Sequence, residues 1–460
     1  MSIDPTDAIS VKQETDSNGP LWPGVTVGFM AAIAMWLVWY PLHLPGLRVP
    51  TPVAGPLLLV VLVAMIAMKS KAAGRRAVAV GVIAGLVSAA VNLLLLGNQL
   101  TEAGATPADA ENAKVRPDAA LIVGGFVAVS LVAGLVGGLI GKKLAKPGAR
   151  PKDWIASFGV AAVASMLPLV AAGGAVTSAG AGMAVPDWPG TYGSNMFLYP
   201  IGLMADPRIF LEHTHRLFGT LVGLTTLVLM IAVIASKKSK LSKTLAIVVF
   251  VGVCIQGVLG AIRVTDINPG FGIIHGILAQ FILCGAAILA ATLTQKWRDR
   301  LDVKPELARN ARKWTDIAIG ALFLQLILAA MYRHLGSGHA IMTHAGFAII
   351  ATMFVLMSAF SLLKIAKESG GNRTLKKVGT FMMHGVGLQV VLGLVAFVML
   401  SDHAASDRVV MHDELAEAPP VPLANVLVAT AHQLLGACLL MASALAAVWV
   451  RRVRPSGESA

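Results

Sequence analysis

The chain has 460 residues, of which 56% are hydrophobic and 13% charged, with a formal net charge of +13. Soluble proteins carry about 25% charged residues, so this composition excludes a string of soluble domains and a disordered chain, and three cysteines are too few for a disulfide scaffold. Long charge-free apolar stretches recur along the whole length and predict an all-α polytopic membrane protein.

Residues 1–22 are polar and acidic (Asp4, Asp7, Glu14, Asp16), with no basic segment ahead of a short apolar core. They read as a cytoplasmic tail and not as a cleavable signal. About twelve transmembrane helices follow, near 23–42, 53–69, 77–97, 119–141, 154–177, 209–236, 244–263, 270–294, 314–332, 341–363, 379–400 and 425–449. The basic residues fall in alternate connections: Lys69, Lys71, Arg75 and Arg76 after the second span, Lys142, Lys143 and Lys146 after the fourth, Lys237, Lys238, Lys240 and Lys243 after the sixth. The connections between them are nearly bare or acidic, as in 101–118 and 401–420. By the positive-inside rule both termini are cytoplasmic, in a cell inner membrane. Charge split among short loops is a topology signal that also meets anionic lipid heads of the bilayer; it predicts no nucleic-acid partner. Cys254, Cys284 and Cys438 sit in apolar stretches without CxxC spacing and read as small buried hydrophobes.

The basic linker 142–153 divides the chain into four spans with few polar groups (23–141) and eight spans that carry ten of the eleven histidines. Within the eight, one four-helix unit occurs twice, predicting two pseudo-symmetric four-helix bundles over 154–297 and 314–450. Residues 175–185 align with 331–341 through a shared Gly-x-Gly-x-Ala-aliphatic pattern, and Gln256-Gly-Val-Leu-Gly260 aligns with Gln389-Val-Val-Leu-Gly393. His215 and His344 open the second helix of their copies; His275 opens the fourth of copy one, and His432 lies early in the fourth of copy two. Second and fourth helices run in the same direction, so two such histidines at equal depth are placed to clamp a flat metal macrocycle. Any one of them alone has a plain reading as a packed, hydrogen-bonded histidine. Four at equivalent positions point to a cofactor or substrate role, because ionisable groups in spans are costly.

The densest cluster is Glu212-His213-Thr214-His215-Arg216. Glu212 and His215, three apart, share a helix face. Glu212 and Arg216, four apart, have a surface ion pair as the bland reading; beside a cofactor cavity the carboxylate would move protons and the guanidinium would bind a carboxylate-bearing ligand. The preceding loop, Pro186-Asp187-Trp188-Pro189 through Tyr199-Pro200, reads as an ordered cap or as an aromatic belt. Arg333 reads equally as a ligand for a carboxylate or as an interface snorkeller. His334 and His339 read as loop residues that are either partners for a carboxylate-bearing ligand or solvated, the second being favoured, His384 as a packing residue, and His403 and His412 as exposed.

Residues 154–460 resemble the heme A synthase family through Gly182-x-Ala-Val-Pro-Asp-Trp-Pro189, Glu212-x-x-His215-Arg216, Gln256-Gly-Val-Leu-Gly-x-x-Arg-Val-Thr265, Ile274-His275-Gly276, Arg333-His-x-Gly-x-Gly338 and Ala431-His432-Gln433. The resemblance implies heme b held by His344 and His432, with heme O as substrate bound between His215 and His275, the metal ligands. It implies Glu212, His215 and His275 as the catalytic set, and heme propionates as partners for Arg216 and Arg333. The implied reaction oxidises the C8 methyl of heme O to the formyl group of heme A by two hydroxylations and loss of water from a gem-diol. Heme O synthase, cytochrome oxidase subunits and assembly factors are the implied partners. Many bacterial members carry a cysteine pair flanking the Pro-Asp-Trp-Pro loop; here Val185, Gly190, Thr191 and Tyr192 stand there. The segment 1–141 lies outside the family core. Two other readings share the histidines: a di-heme b-type electron carrier, which has no need of Glu212, and a repeat-fold transporter with a histidine proton relay, which would show Gly/Pro-broken helices at midplane.

Overall fold

The computed structural model describes residues 19–47, 49–102, 109–110, 113–147, 152–266, 268–297, 301–401 and 409–455. The acidic part of the tail and His403 lie outside them. The described residues fold into twelve long helices: α1 (Leu21–Leu42), α2 (Thr51–Ser70), α3 (Ala77–Leu95), α4 (Ala119–Leu144), α5 (Trp154–Ser178), α6 (Pro207–Ile234), α7 (Lys240–Asp266), α8 (Pro269–Thr292), α9 (Pro305–Leu335), α10 (Gly338–Glu368), α11 (Arg373–Ser401) and α12 (Leu423–Val450). They form eleven apolar stretches long enough to cross a bilayer, because α2 and α3 run on as Thr51–Leu95 through a short 3₁₀ segment. That segment turns at Gly74, whose φ of 57° is open to glycine. Large apolar side chains stand exposed along the helices, Leu121 and Ile349 at 78%, as a lipid solvent allows. The protein is an all-α polytopic membrane protein.

The chain forms two compact units, residues 1–165 with 189–238 and residues 166–188 with 239–460, so that α5 contributes to both. In the first unit α1 packs on α2 and α3, and α4 on α2 and α3. Glycines let α3 and α4 meet backbone to backbone: a Cβ on Gly81 would lie 2.3 Å from the Gly134 carbonyl oxygen. Small residues at such a seam give the close contact that drives helix association in lipid. α6 lies against α1 and α3. In the second unit α9–α12 close a four-helix ring, α9 touching α10 and α12, and α11 touching α10 and α12. α8 packs on α7, α9 and α12.

Local chemistry sets the helix starts. Proline opens α6, α8 and α9, where a missing N–H costs nothing. Asp206 and Asn268 cap α6 and α8 by accepting from the N–H groups of Arg208 (2.7 Å) and Gly270 (2.8 Å), and Ser337 caps α10 through Ala340 N–H. These caps begin the helices earlier than the apolar pattern suggested. His215, His275 and His344 therefore sit about two turns inside their helices and not at the openings. α9 starts at Pro305, well before 314, on a first-turn proline without a side-chain cap, its first turns being polar.

Other expectations are corrected by the packing. His334 and His339 are helical, in the last turn of α9 and the first of α10, because the turn between them is confined to Gly336 and Ser337. His334 is half-buried against Gly272; His339 is exposed. His384 is exposed, its Nδ1 against the Thr380 carbonyl (2.9 Å), so it does not pack. Cys254 is exposed on its helix; Cys284 is buried and Cys438 half-buried.

Candidate functional site

In the first unit, α6 presents Glu212, His213, Thr214, His215 and Arg216 over little more than one turn. Glu212 Oε1 accepts from Arg216 Nη2 at 2.7 Å, and the two side chains are only 5% and 9% exposed, so this is a buried pair and not a surface one. Arg216 Nη1 also donates to the Gly190 carbonyl at 2.9 Å. Gly190 begins a small hairpin in which Gly190–Thr191 pairs antiparallel with Ser194–Asn195. The turn needs left-handed backbone at Tyr192 (φ 49°) and Gly193 (φ 74°). Thr191 Oγ1 is 3.2 Å from Nδ1 of the fully buried His213, whose ring lies 5.2 Å from Tyr199. Tyr199 in turn stacks on Tyr192 at 6.0 Å. His213 and Arg216 of α6 thus fasten Thr191 and Gly190, and the loop is ordered.

In the second unit the repeat has a structural counterpart. Gly180 and Gly336, aligned in the two copies, both adopt left-handed φ (65° and 62°), and Gly336 caps the end of α9. Gly260 and Gly393, also aligned, each face a histidine: a Cβ would lie 3.4 Å from His275 Cε1 and 2.9 Å from His432 Cε1. Their glutamines address the same histidines. Gln256 Nε2 donates to the His275 carbonyl at 2.7 Å, and Gln389 Nε2 lies 3.3 Å from His432 Nε2. A third glutamine, Gln325 on α9, donates to the His344 carbonyl at 3.0 Å, and its own carbonyl lies 3.1 Å from His344 Nδ1. A carbonyl can only accept, so His344 Nδ1 carries the proton and Nε2 carries the lone pair. The rings of His344 and His432 meet edge to face, with centroids 6.2 Å apart and planes at 77°.

Substituting Gly393 with valine places methyl groups where the His432 ring lies. Overpacking of this kind costs roughly 1–3 kcal/mol. The expected result is a displaced imidazole, read as an altered absorption spectrum of any pigment bound at His432 with the protein still folded.

Arginines gather where α5 ends. Arg333 Nη2 donates to Ser178 Oγ at 2.7 Å, and a Cβ on Gly182 would meet the Arg263 guanidinium at 2.6 Å, so a larger residue there would push that guanidinium aside. The turn after α5 is tied down by Val410 N–H donating to the Gly180 carbonyl (3.0 Å) and by the Met183–Met411 bridge. The structure brings together Glu212 with Arg216 in one unit and His344 with His432 in the other. His215 belongs to the first unit and His275 to the second. Among the described residues no three His, Cys, Asp or Glu side chains cluster as a protein-only metal site.

The fold and these side chains define the class: a polytopic helical membrane protein with paired intramembrane histidines and a buried carboxylate–guanidinium pair. Residues 204–344 match the family model COX15-CtaA, cytochrome oxidase assembly protein. The match covers 141 of the 460 residues, the stretch that holds Glu212, His215, Arg216, His275, Arg333 and His344. No curated protein and no solved structure matches the chain.

Proposed function

We propose that this protein is a heme A synthase, an oxidoreductase that converts the C8 methyl of heme O to a formyl group. The observation that carries the reading is the burial of Glu212 and Arg216 as a pair inside the segment that matches the assembly family. Electron transfer alone needs no such carboxylate. Oxidising a methyl to a formyl withdraws four electrons and releases protons, and a buried carboxylate on the helix that bears His215 suits their removal. His215 and His275 are proposed as the ligands that place heme O, and Arg216 and Arg333 as groups that meet its propionates or those of heme b.

His344 and His432 are proposed to hold heme b. The 6.2 Å between their ring centroids fits two imidazoles that would hold one iron macrocycle between them. So does the tautomer of His344, whose proton is committed to Gln325 and whose Nε2 remains as the ligating atom. A bound heme supplies one-electron redox chemistry there; the chain supplies ligation and orientation.

On this reading the protein lies in the inner membrane with both termini cytoplasmic and its heme sites toward the outer face. Its partners are a heme O supplier and the oxidase subunits or assembly factors that receive heme A. The test is to supply the purified protein with heme O under turnover conditions and to separate the extracted pigments. Heme A beside heme B is expected. Heme B alone, in stoichiometric amount at both sites, would instead identify a di-heme electron carrier, and a protein without a Soret band would be a transporter.

A further inference from the structure

The first four helices have no assigned role, yet they hold the helix that carries Glu212 and His215. Phe210, Thr214 and Phe218 recur every fourth residue and share one face of α6. α1 meets that face with an aromatic cluster. The Trp36 ring packs edge-on against Phe218 at 5.4 Å. Tyr40 lies 5.6 Å from Phe210 and 5.5 Å from Phe218, the two rings that flank Thr214 on that face. Trp39 stacks beside Phe210 at 6.3 Å.

This cluster is itself fixed from behind. Trp36 Nε1 donates to Asn92 Oδ1 on α3 at 3.1 Å, and Asn92 Nδ2 lies 3.2 Å from Ser88 Oγ and 3.5 Å from Met35 Sδ. Trp36, Asn92 and Ser88 are all at most 1% exposed. Polar groups satisfied only by one another in a span define a single arrangement of α1 and α3. Glu212 and Arg216 stand about 160–200° round α6 from Thr214, opposite the aromatic contact. The extension is therefore the backing against which the functional face is presented.

The extension grips the cap as well. Thr101, just past α3, donates through Oγ1 to the Leu198 carbonyl at 2.8 Å. Gly97 approaches the Phe197 carbonyl so closely that a Cβ would lie 2.6 Å from it. Leu198 and Phe197 adjoin Tyr199, which packs on His213. At the other end Lys238, just after α6, forms an ion pair with Asp153 ahead of α5, and Thr26 of α1 reaches the Trp154 carbonyl at 3.4 Å.

We infer that helices α1–α4 are a positioning element for the Glu212–His215 segment, with Trp36 and Tyr40 setting the rotation of α6 and Thr101 holding its loop. The inference rests on the synthase reading for its effect on turnover, but not for its effect on α6. The experiment uses the full chain, unaltered and with three changes: Trp36→Leu with Tyr40→Leu; Trp36→Phe with Tyr40→Phe, which keeps both rings; and Val60→Ala, an exposed position on α2 away from α6. Hydrogen exchange is read by mass spectrometry on peptides covering 190–218, beside heme O conversion and the spectrum of heme at His344 and His432.

The double leucine variant is expected to exchange at least tenfold faster over 207–218 and to convert heme O at least tenfold more slowly, with the His344/His432 spectrum unchanged. The double phenylalanine variant restores conversion to within about threefold of the unaltered chain, and Val60→Ala matches it. If the double leucine chain fails to accumulate, Tyr40→Leu alone is read by the same criteria. Unchanged exchange over 207–218 overturns the inference, and so does faster exchange with conversion intact. An unaltered protein that converts no heme O refutes the synthase reading instead, and the exchange data then decide the positioning role by themselves.

Discussion

Replacing either His344 or His432 with alanine is expected to abolish the b-type heme spectrum of the purified protein while leaving the protein folded. Each imidazole would supply one axial bond, and no third His, Cys, Asp or Glu clusters with them among the described residues to take over. The loss is graded by how directly a residue acts. Gln325 shares two contacts with His344, one of them fixing the ring proton. Outer groups that orient a metal-bound histidine are worth about 10–100-fold in affinity. Gln325→Leu deletes only the side-chain bond to the His344 carbonyl and keeps the main-chain carbonyl that holds the ring proton, so heme retention should fall by no more than about tenfold, the lower end of that range, whereas loss of a ligand should exceed the range. Pyridine hemochrome content per polypeptide, measured after dilution and gel filtration, orders the variants. Full heme content in both alanine variants would mean that these histidines are not the ligands.

The membrane spans were legible because an apolar run of about 20 residues has few fates other than a transmembrane helix. Their ends were not. Caps such as Asp206 and Asn268 and first-turn prolines extend a helix through polar residues that carry no hydropathy signal. The repeat was legible, and the structure shows why it persists: Gly260 and Gly393 clear space for the same imidazole edge in each copy. Gln325 escaped because the repeat offers no counterpart in copy one, where Leu169 aligns. A lone glutamine in an otherwise apolar span was the available signal, since such groups rarely go unpaired in lipid. The contact of Tyr40 with Phe210 and Phe218 left no trace at all. It joins positions far apart in the chain, and neither helical periodicity nor local spacing reports which span packs on which.

Glu212→Gln is expected to lower heme O conversion by roughly 10²–10⁴-fold, the span of a general acid–base contribution, with a smaller loss of stability than alanine causes. Glutamine keeps the shape of the side chain and an oxygen for Arg216, and removes the group that gains and loses a proton. Glu212→Ala is a different experiment. It strands a guanidinium that is 9% exposed, and breaking a buried pair by removing one partner costs about 3–5 kcal/mol. Arg216 is then released from its hold on the Gly190 carbonyl as well, so the alanine variant should lose both its cap and its thermal stability. Arg216→Met should share that defect. The comparison separates chemistry from architecture: a fall in conversion in the glutamine variant as large as in the alanine variant, with melting lowered less than by alanine, assigns Glu212 to proton handling. Conversion retained in Glu212→Gln but lost in Glu212→Ala and Arg216→Met would make the pair a strut for α6 and the hairpin, and the proton acceptor would have to be sought elsewhere.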